Sequence, residues 1–419
     1  MGALLFVAFF GLLVLGVPVA VAIGLGAIVA LTADGVPLMV VVQRMFAGTD
    51  SFALIAVPFF ILAGDLMASG MVSRKLVDFA DALFGFVKGG LSIVSVLAGM
   101  FFAAISGSGA ATTAAVGSTL IPELKRKGYE EAPAASLIAA SGTIGVVIPP
   151  SVPMIIYAVL ADQSVARLFL NGFIPGIIMG LGLMAIALAQ AYDRNYPRGS
   201  ALSLGNILRT FRDAFWGLLT PVIILGGIFS GVFTPSEAAV VAVNYALLVS
   251  LFVYRDLTLR EIYALMIRSV LTTGVIMFVI ATSAVLSWTL ANWNIPTQVA
   301  QWVLGISSEP MVILLLITAV ILVTGVFVET ASALIILTPV LLPLVKAMNV
   351  DLIHFGVIMV MGLGIGMITP PVAINLYVAS SITDQPLERI ARAVVPYLAV
   401  LLGVLLLVVY GPVLLGLSG

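Results

Sequence analysis

The feature that constrains this chain most is a series of apolar runs that recur along its whole length. Their approximate positions are 3–17, 19–33, 51–68, 89–121, 131–161, 172–192, 214–232, 236–254, 269–290, 310–344, 354–381 and 394–415. About 20 apolar residues are enough for a helix to cross the hydrocarbon core of a bilayer. Charged residues make up only 9% of the sequence, against about 25% in a typical soluble domain. The sequence therefore predicts an all-α polytopic membrane protein.

Several classes of protein are excluded by simple features of the sequence. An outer-membrane β-barrel needs short segments of alternating hydrophobicity, whereas the apolar runs here are continuous. The absence of cysteine rules out disulfides, thiol catalysis and cysteine metal sites. The first residues, MGALLFVAFFGLLVLG, lack the basic start and the cleavage site of a signal peptide, so we expect a first membrane helix there. The net charge of −1 does not indicate nucleic acid as a partner.

Two of the apolar runs are too long for one straight crossing and contain small and polar residues near their middle. The run 89–121 contains SGSGAATT at 106–113, and the run 310–344 contains TGVFVETAS at 324–332. A chain that enters the bilayer and turns back at such a point forms a re-entrant hairpin. We therefore expect one hairpin in each run, with these polar stretches as the hairpin tips.

Two further runs, 131–161 and 354–381, each contain a glycine followed closely by two adjacent prolines. The motifs are IGVVIPPSVPMIIY at 144–157 and IGMITPPVAINLYV at 365–378. Proline removes a backbone donor and clashes with the preceding turn, so a pair of prolines breaks a helix. Both runs are predicted to be discontinuous membrane helices.

The basic residues support this topology. If both long runs are hairpins, five connecting loops share one side of the membrane, and these loops are 70–88, 122–131, 193–213, 255–268 and 382–393. They contain 15 of the 18 Lys and Arg residues, which leaves Arg44, Arg167 and Lys346 on the opposite side. Positively charged loops mark the cytoplasmic side. The prediction therefore places both ends of the chain, residues 1 and 419, on the outer face.

The two proline motifs belong to an internal repeat, in which matched positions are separated by one constant offset along the chain. The matched positions are Pro122 and Pro343, Gly145 and Gly366, Pro149 and Pro370, Pro150 and Pro371, and Pro175 and Pro396. The predicted topology opens the first hairpin to the cytoplasm and the second to the outside, so the halves are inverted. Inverted repeats with broken helices are typical of secondary transporters that bind their substrate near the middle of the membrane.

This repeat gives the predicted domain boundaries. Residues 1–192 form the first inverted repeat, with scaffold helices in 3–68, a hairpin at 89–121, a broken helix at 131–161 and a helix at 172–192. Residues 193–213 form a cytoplasmic linker. Residues 214–419 form the second repeat, with scaffold helices in 214–254, an amphipathic stretch at 255–268, a helix at 269–290, a hairpin at 310–344, a broken helix at 354–381 and a helix at 394–415.

The broken helices and the tips supply the oxygen atoms that a sodium ion needs. Unwound backbone frees carbonyl groups, and half-helix C-terminal ends add partial negative charge. The predicted ligands of a first sodium site are Ser106, Gly145, Ile148 and Pro150, and those of a second site are Gly325, Gly366, Thr369 and Val372. Half-helix N-termini and hydroxyls between the tips are predicted to bind an anionic substrate. The candidate substrate residues are Ser108, Gly109, Thr112, Glu329, Thr330, Pro149 and Pro370.

Structural interpretations of the same residues remain open. Glycine and serine in apolar helices often serve close helix packing, and proline pairs alone are often kinks. The duplication of tip and break at one spacing favours the functional interpretation. Glu329 is an ionisable residue at membrane depth and hence a functional candidate, although its partner in the repeat is Ser108. In GVFTPSEAAV at 231–240, Glu237 fits a capping box with Thr234, with an ion ligand as the alternative.

Four long motifs in order carry a resemblance to a known family. They are AAISGSGAATTAAVGSTLIPEL, GTIGVVIPPSVPMIIYAV, FTPSEAAVVAV and GMITPPVAINLYVAS. Over essentially its whole length the chain resembles the large membrane subunit of TRAP (tripartite ATP-independent periplasmic) transporters. The resemblance implies an elevator-type transporter in the bacterial inner membrane that uses a sodium gradient to import organic acids such as C4-dicarboxylates or sialic acid. The stretches 36–50 and 255–268 then look like arms between scaffold and moving domain.

The resemblance also implies two protein partners, a small four-helix membrane subunit and a periplasmic substrate-binding protein. The small subunit is expected to be a separate polypeptide. Other functions fit less well, because the sequence has neither a GxxxxGK[ST] loop for an ATPase nor an HExxH motif or paired membrane aspartates for a protease. A purely structural subunit would not need paired broken helices. The remaining alternative is a sodium–anion symporter of similar architecture that works without a binding protein.

Overall fold

A computed structural model describes residues 2–198, 201–306, 309–383 and 385–414. The regular elements of these residues are helices, apart from one isolated β-bridge between Lys88 and Arg198. The predicted positions of residues 1 and 419 lie outside the described residues, as does the last residue of the predicted helix 394–415.

The first half of the chain contains ten helices within the described residues. They are α1 (Gly2–Val14), α2 (Val19–Ala33), α3 (Met39–Thr49), α4 (Ala56–Ser69), α5 (Met71–Phe84), α6 (Gly90–Ser106), α7 (Gly109–Arg126), α8 (Glu131–Gly142), α9 (Val152–Leu160) and α10 (Val165–Asp193). A 3-10 turn at Phe52–Ile55 precedes α4, and a second at Thr143–Val146 follows α8. The helices α6 and α7 form the first hairpin, and α8 and α9 form the first broken helix.

The second half repeats this order in its described part. Its helices are α11 (Leu204–Phe229), α12 (Pro235–Leu248), α13 (Leu259–Asn292), α14 (Ile295–Ile306), α15 (Pro310–Phe327), α16 (Thr330–Ala347), α17 (Leu352–Gly366), α18 (Ile374–Thr383) and α19 (Leu387–Leu414). A π-helical turn at Val249–Tyr254 extends α12. The second hairpin is α15 and α16, and the second broken helix is α17 and α18.

Eight helical segments of the described residues are long and apolar enough to cross a membrane. They are α4 with its preceding turn, α10, α11, α12 with its π-helical turn, α13, α15, α16 and α19. The helices α1, α2, α6 and α17 are apolar but shorter. The predicted fold class is confirmed: the chain is an all-α polytopic membrane protein with two hairpins and two broken helices.

The helices pack as two groups. In one group, here called the outer frame, α4 packs against α12 and α13 packs against α2 and α3. The other group, the central body, consists of α6–α10 and α15–α19. There the α7 arm of the first hairpin contacts α18 of the second half, and α16 contacts α9 of the first half. The Tyr157 hydroxyl donates to the Leu352 carbonyl at 2.6 Å, which also joins the two halves.

The structure differs from the predicted boundaries at three places, of which the first is a long helix. The predicted stretch 255–268 and helix 269–290 form a single helix, α13. Thr258 and Glu261 begin this helix with a capping box, and its 34 residues contain no proline to interrupt it. The sequence analysis did not predict α14, and the second part of the predicted linker 193–213 belongs to α11.

Candidate functional site

The tip of the first hairpin is a compact cluster of oxygen atoms. Gly107 has a φ of +62°, which favours glycine and turns the chain back after α6. The hydroxyl groups of Ser106 and Thr112 lie 2.9 Å apart, and Thr112 also donates to the Ser108 carbonyl at 2.8 Å. Ser106 and Thr112 are both buried. Three oxygen atoms therefore converge at the tip, two of them on buried side chains.

The first broken helix lies directly against this cluster. A Cβ built on Gly145 would lie 2.5 Å from the Thr112 hydroxyl and 2.7 Å from the Ser108 carbonyl oxygen. On the other side of the turn, the Pro150 carbonyl oxygen would lie 2.6 Å from a Cβ on Gly107. The structure thus brings together Gly145, Pro150 and the tip hydroxyls that the sequence pattern singled out.

The end of the break is closed by Ser151. Its hydroxyl donates to the Val146 carbonyl at 2.6 Å and accepts from the Met154 backbone N–H at 3.3 Å, which begins α9. The side chain of Ile148 packs on Gly176 of α10, 2.5 Å from where a Cβ there would be. The predicted ligand at this position is the backbone carbonyl. The Pro149–Pro150 and Pro370–Pro371 peptide bonds are both cis.

The tip of the second hairpin contacts the second broken helix more closely than the first tip contacts the first broken helix. A Cβ built on Gly366 would overlap the carbonyl carbon and oxygen of Gly325. The Val372 backbone N–H donates to the Val326 carbonyl at 3.3 Å. The Thr369 hydroxyl donates to the Ile365 carbonyl at 3.0 Å, within its own turn. The predicted second-site residues therefore lie together at one contact between tip and break.

Glu329 and Thr330 begin the returning arm of the second hairpin. The Glu329 carboxylate accepts from the Ser332 backbone N–H at 3.1 Å, so it caps α16. Thr330 is buried, and its hydroxyl has no hydrogen-bond partner among the described residues. Because a buried hydroxyl without a partner is costly, this oxygen is available to a ligand.

The two broken helices touch each other. A Cβ on Gly364 would lie 2.8 Å from the Val146 side chain and 3.6 Å from the Thr143 carbonyl oxygen. Thr143 and Gly364 are separated by the same offset as the matched prolines of the repeat, so equivalent positions of the two halves meet there. Met367 of the second half lies 2.9 Å from where a Cβ on Gly109 of the first tip would be.

Asn375, in the motif PPVAINLY, is a polar residue for which the sequence predicts no role. It is fully buried, and its Nδ2 donates to the Ala139 carbonyl of α8 at 3.2 Å. Its Oδ1 has no hydrogen-bond partner in the described part of the chain. An amide side chain in an apolar run was the signal that could have identified this residue.

A cavity of about 300 Å³ joins both tips to the outer frame. Its walls include Ser108 and Gly109 from the first tip, Glu329 and Thr330 from the second, and residues of both broken helices. The outer frame contributes residues of α4 and α13. A cavity of this size accommodates a small organic acid.

Two charged residues of the outer frame, Asp65 and Arg268, line this cavity. The sequence left two interpretations of Asp65 open, a proton or ion residue and a solvated residue at a helix end, and it predicted no role in a site for Arg268. The sequence indicates Arg268 on α13 only as a cytoplasmic charge, whereas in the structure it lies in the wall of the cavity. Asp65 on α4 accepts a hydrogen bond from the Ser269 hydroxyl at 2.8 Å. The side chain next to Arg268 in sequence therefore fixes the carboxylate of Asp65.

The polar atoms at the first tip are oxygen atoms, the ligand type that hard cations prefer. The described residues contain no group of three or more His, Asp or Glu side chains placed to hold a metal ion. Hydroxyl and carbonyl oxygens converge instead, at Ser106, Ser108 and Thr112.

Comparison with known proteins identifies the family. The sequence model of the tripartite ATP-independent periplasmic transporter, DctM component, matches residues 6–414. The chain belongs to this TRAP transporter family. A similar TRAP relative is the C4-dicarboxylate TRAP transporter large permease protein DctM of Pseudomonas aeruginosa, 43% identical over 369 residues, which are 88% of this chain and 86% of the relative. The chain is therefore a membrane transport protein of the TRAP type and not an enzyme.

A second TRAP relative is longer than this chain. The isethionate TRAP transporter permease protein DctMQ of Oleidesulfovibrio alaskensis is 40% identical over 403 residues. The match covers 96% of this TRAP permease and 63% of the relative, so the chain spans less than two thirds of that protein. Among solved structures, the Alcanivorax borkumensis YdaH transporter superposes with a TM-score of 0.64 over 90% of this chain and 88% of its own, at 13% identity. That likeness concerns the fold alone.

Proposed function

We propose that this TRAP permease imports a small organic acid across the bacterial inner membrane, driven by the sodium gradient. The substrate class is that of C4-dicarboxylates or sialic acid. A periplasmic binding protein delivers the substrate, and a small four-helix membrane subunit completes the membrane part. Both relatives described above are named for organic anions, one a dicarboxylate and one a sulfonate.

The observation that supports this proposal best is the cavity between the two tips. Its wall combines elements of the central body with Arg268 of the outer frame. Arginine is the residue best suited to a carboxylate, because its planar fork can form two parallel hydrogen bonds. Hydroxyl and backbone groups at Ser108 and Thr330 complete the polar part of the wall.

The coupling ions are proposed to bind at the two contacts between tip and break. The first sodium site consists of Ser106 with backbone oxygens at Gly145, Ile148 and Pro150. The second consists of Gly325, Gly366, Thr369 and Val372. Sodium is held by carbonyl and hydroxyl oxygens, and the burial of Ser106 and Thr112 supports the first site.

The transport step is proposed to be an elevator movement, in which the central body moves against the outer frame. Contacts within each group support this division, because the hairpins and broken helices pack mainly on one another. Since the cavity has walls from both groups, such a movement changes the side from which the substrate is reached.

The test is uptake into proteoliposomes that contain the permease, its small subunit and the binding protein. Sodium is varied at a constant ionic strength, and radiolabelled succinate, N-acetylneuraminate and isethionate are compared. Uptake of at least one acid should depend on a sodium gradient and disappear when the gradient is collapsed. Sodium-independent uptake would contradict the proposed coupling.

The same preparation without the binding protein tests the alternative. Uptake should fall to background when this protein is omitted. Uptake that continues unchanged would favour a sodium–anion symporter of the same architecture.

A further inference from the structure

A second cavity lies between the central body and the outer frame, apart from the cavity at the tips. Its volume is about 460 Å³, and its walls come from α3 and α13 of the outer frame and from α9 and α16 of the central body. Among the described residues of this wall, Arg44 on α3 is the only Lys or Arg, and its guanidinium lies 5.1 Å from the centre of the Trp288 ring. The proposed function gives this cavity no role.

The two cavities occupy corresponding places in the two halves. Arg44 lines one and Arg268 lines the other. Arg44 lies on α3, which precedes the spanning helix α4, and Arg268 lies in the first part of α13. One turn further on, Gly48 and Thr272 line the two cavities, at the same interval along the chain as the two arginines. This interval is three residues longer than the offset of the matched prolines, because the register of the repeat loosens upstream of the hairpins.

The opposite frame walls correspond as well. Trp288 lines the cavity of Arg44, and its equivalent at this same interval is Gly64, which lines the cavity of Arg268. In both cases a spanning helix of the other half supplies this wall. The central body contributes the second part of a broken helix to each cavity, with Val159 in one and Val378 in the other.

The residue of the opposite frame wall that lies next to the arginine differs between the two cavities. A Cβ on Gly64 would lie 3.0 Å from the Ser106 carbonyl oxygen, so the first tip is docked against the frame beside Arg268. At the other cavity the large indole of Trp288 covers Arg44. One arginine thus faces both tips, and the other is held against an aromatic ring.

We propose that Arg44 and Arg268 are a pair of receptors for the carboxylate of the substrate, one for each side of the membrane. Arg44 binds the acid as it enters from the outside, and Arg268 binds it before release to the cytoplasm. The predicted topology puts Arg44 on the outer side, where only three basic residues lie, and Arg268 on the cytoplasmic side. This inference rests on the proposed function for the identity of the substrate, but the pairing itself follows from the two cavities.

The first experiment measures local charge without transport. Since the chain has no cysteine, Ala47→Cys and Thr272→Cys each introduce a sole thiol, one helical turn from one arginine and hence on the same helix face. Both positions line the respective cavities. The modification rate is measured with a sulfonate-bearing and with a trimethylammonium-bearing thiosulfonate reagent in the assembled complex.

The neighbouring arginine should raise the ratio of anionic to cationic rates at each thiol. Adding Arg268→Gln should lower the ratio of anionic to cationic rates at residue 272 by about fivefold and leave the ratio at residue 47 unchanged. Arg44→Gln should do the reverse. Equal ratios with and without the neighbouring arginine would overturn the proposal.

The second experiment assigns each arginine to one side. Uptake of radiolabelled succinate is measured in right-side-out vesicles, and exchange from the cytoplasmic face is measured in inside-out vesicles. Arg44→Gln should raise the KM for succinate about tenfold or more from the outside only, since a charged hydrogen-bonded pair is lost. Arg268→Gln should raise the KM from the cytoplasmic face only.

The control for each variant is another basic residue that is predicted to lie on the same side of the membrane. Arg167→Gln removes an outer cation, and Arg260→Gln removes an exposed cation from α13; neither residue lines the two cavities. Both should keep wild-type KM values. If Arg44→Gln and Arg268→Gln changed the KM on the same face, or on neither, the assignment to two sides would be wrong. Absence of wild-type succinate transport would contradict the C4-dicarboxylate substrate, and the reagent ratios would still test the pairing.

Discussion

At the scale of single residues, Ser106 offers the sharpest test of the first sodium site. Its hydroxyl lies 2.9 Å from the Thr112 hydroxyl in a buried cluster. Ser106→Ala removes one oxygen ligand, and a hydrogen bond or ligand contact to a charged partner contributes about 1.5–3 kcal/mol. We expect the sodium concentration for half-maximal uptake to rise about tenfold or more, with little change in Tm.

A matched control is Ser118→Ala on the helix that follows the first tip. The Ser118 hydroxyl donates to the Ala115 carbonyl at 3.1 Å and lies away from the tip. Uptake by this variant should keep its sodium dependence. Thr369→Ala tests the second site in the same assay, and a normal sodium response in both Ser106→Ala and Thr369→Ala would contradict the proposed ligands.

Gly366 provides a prediction about stability. Its Cα packs on the backbone of Gly325, and an added Cβ would overlap backbone atoms that cannot rotate away. Gly366→Ala should lower the free energy of unfolding by about 1–3 kcal/mol or more through overpacking, seen as a lower Tm in detergent. Gly403→Ala on α19 has open space around its Cβ and should be neutral or stabilising by about 0.5–1 kcal/mol.

Sequence reasoning found most of the residues at the tips and missed those that depend on packing between distant segments. Ser106, Gly145 and Gly366 stand in repeated motifs, so their positions could be inferred from the pattern. Arg268 lines the cavity because α13 packs beside the tips of both hairpins. Nothing in the local sequence around Arg268 specifies that arrangement, and positive charge near a loop indicates only the side of the membrane.

At the scale of elements, the capping box of α12 confirms a local prediction. The Thr234 hydroxyl accepts from the Glu237 backbone N–H at 3.3 Å, and the Glu237 carboxylate accepts from the Thr234 backbone N–H at 2.8 Å. Thr234→Ala should lower the free energy of unfolding by about 0.5–2 kcal/mol. Tm in detergent measures this change.

A substitution of Glu237 distinguishes its two possible roles, helix cap and ion ligand. If Glu237 serves only as a cap, Glu237→Gln should leave the sodium dependence of uptake unchanged. A large rise in the sodium concentration for half-maximal uptake would show instead that Glu237 acts on an ion site.

The ends of helices could be predicted where a proline or glycine interrupts the chain. They could not be predicted where two predicted segments join into one uninterrupted helix. Both hairpins and both breaks follow from local motifs. The continuity of α13 depends on the capping box at Thr258 and on helix-compatible residues through position 268, where polar side chains suggested a separate stretch. The helix α14 escaped prediction because Thr297, Gln298 and Gln301 interrupt its apolar residues.

At the scale of the whole molecule, the division into outer frame and central body predicts the effect of crosslinks. Ala47 and Leu160 line the same cavity from α3 of the frame and α9 of the body. Joining Ala47→Cys to Leu160→Cys with a bifunctional maleimide should stop sodium-driven uptake, because the body can no longer move past the frame. Uptake after treatment with a monofunctional maleimide controls for modification alone.

A crosslink inside the frame is the matched control. The Ser236 hydroxyl donates to the Phe52 carbonyl at 2.7 Å, and both residues belong to frame segments. Joining Phe52→Cys to Ser236→Cys should leave uptake intact. Continued transport with the crosslink between residues 47 and 160 would exclude an elevator movement along that surface.

The contact of Gly364 with Val146 has a consequence for how the two ion sites fill. Each unwound segment contributes ligands to its own proposed sodium site, and the two segments pack against each other on the side away from these ligands. A sodium ion that orders one segment therefore also restricts the motion of the other. If both bind sodium, occupation of the first lowers the entropic cost of occupying the second, and uptake plotted against sodium should give a Hill slope above one.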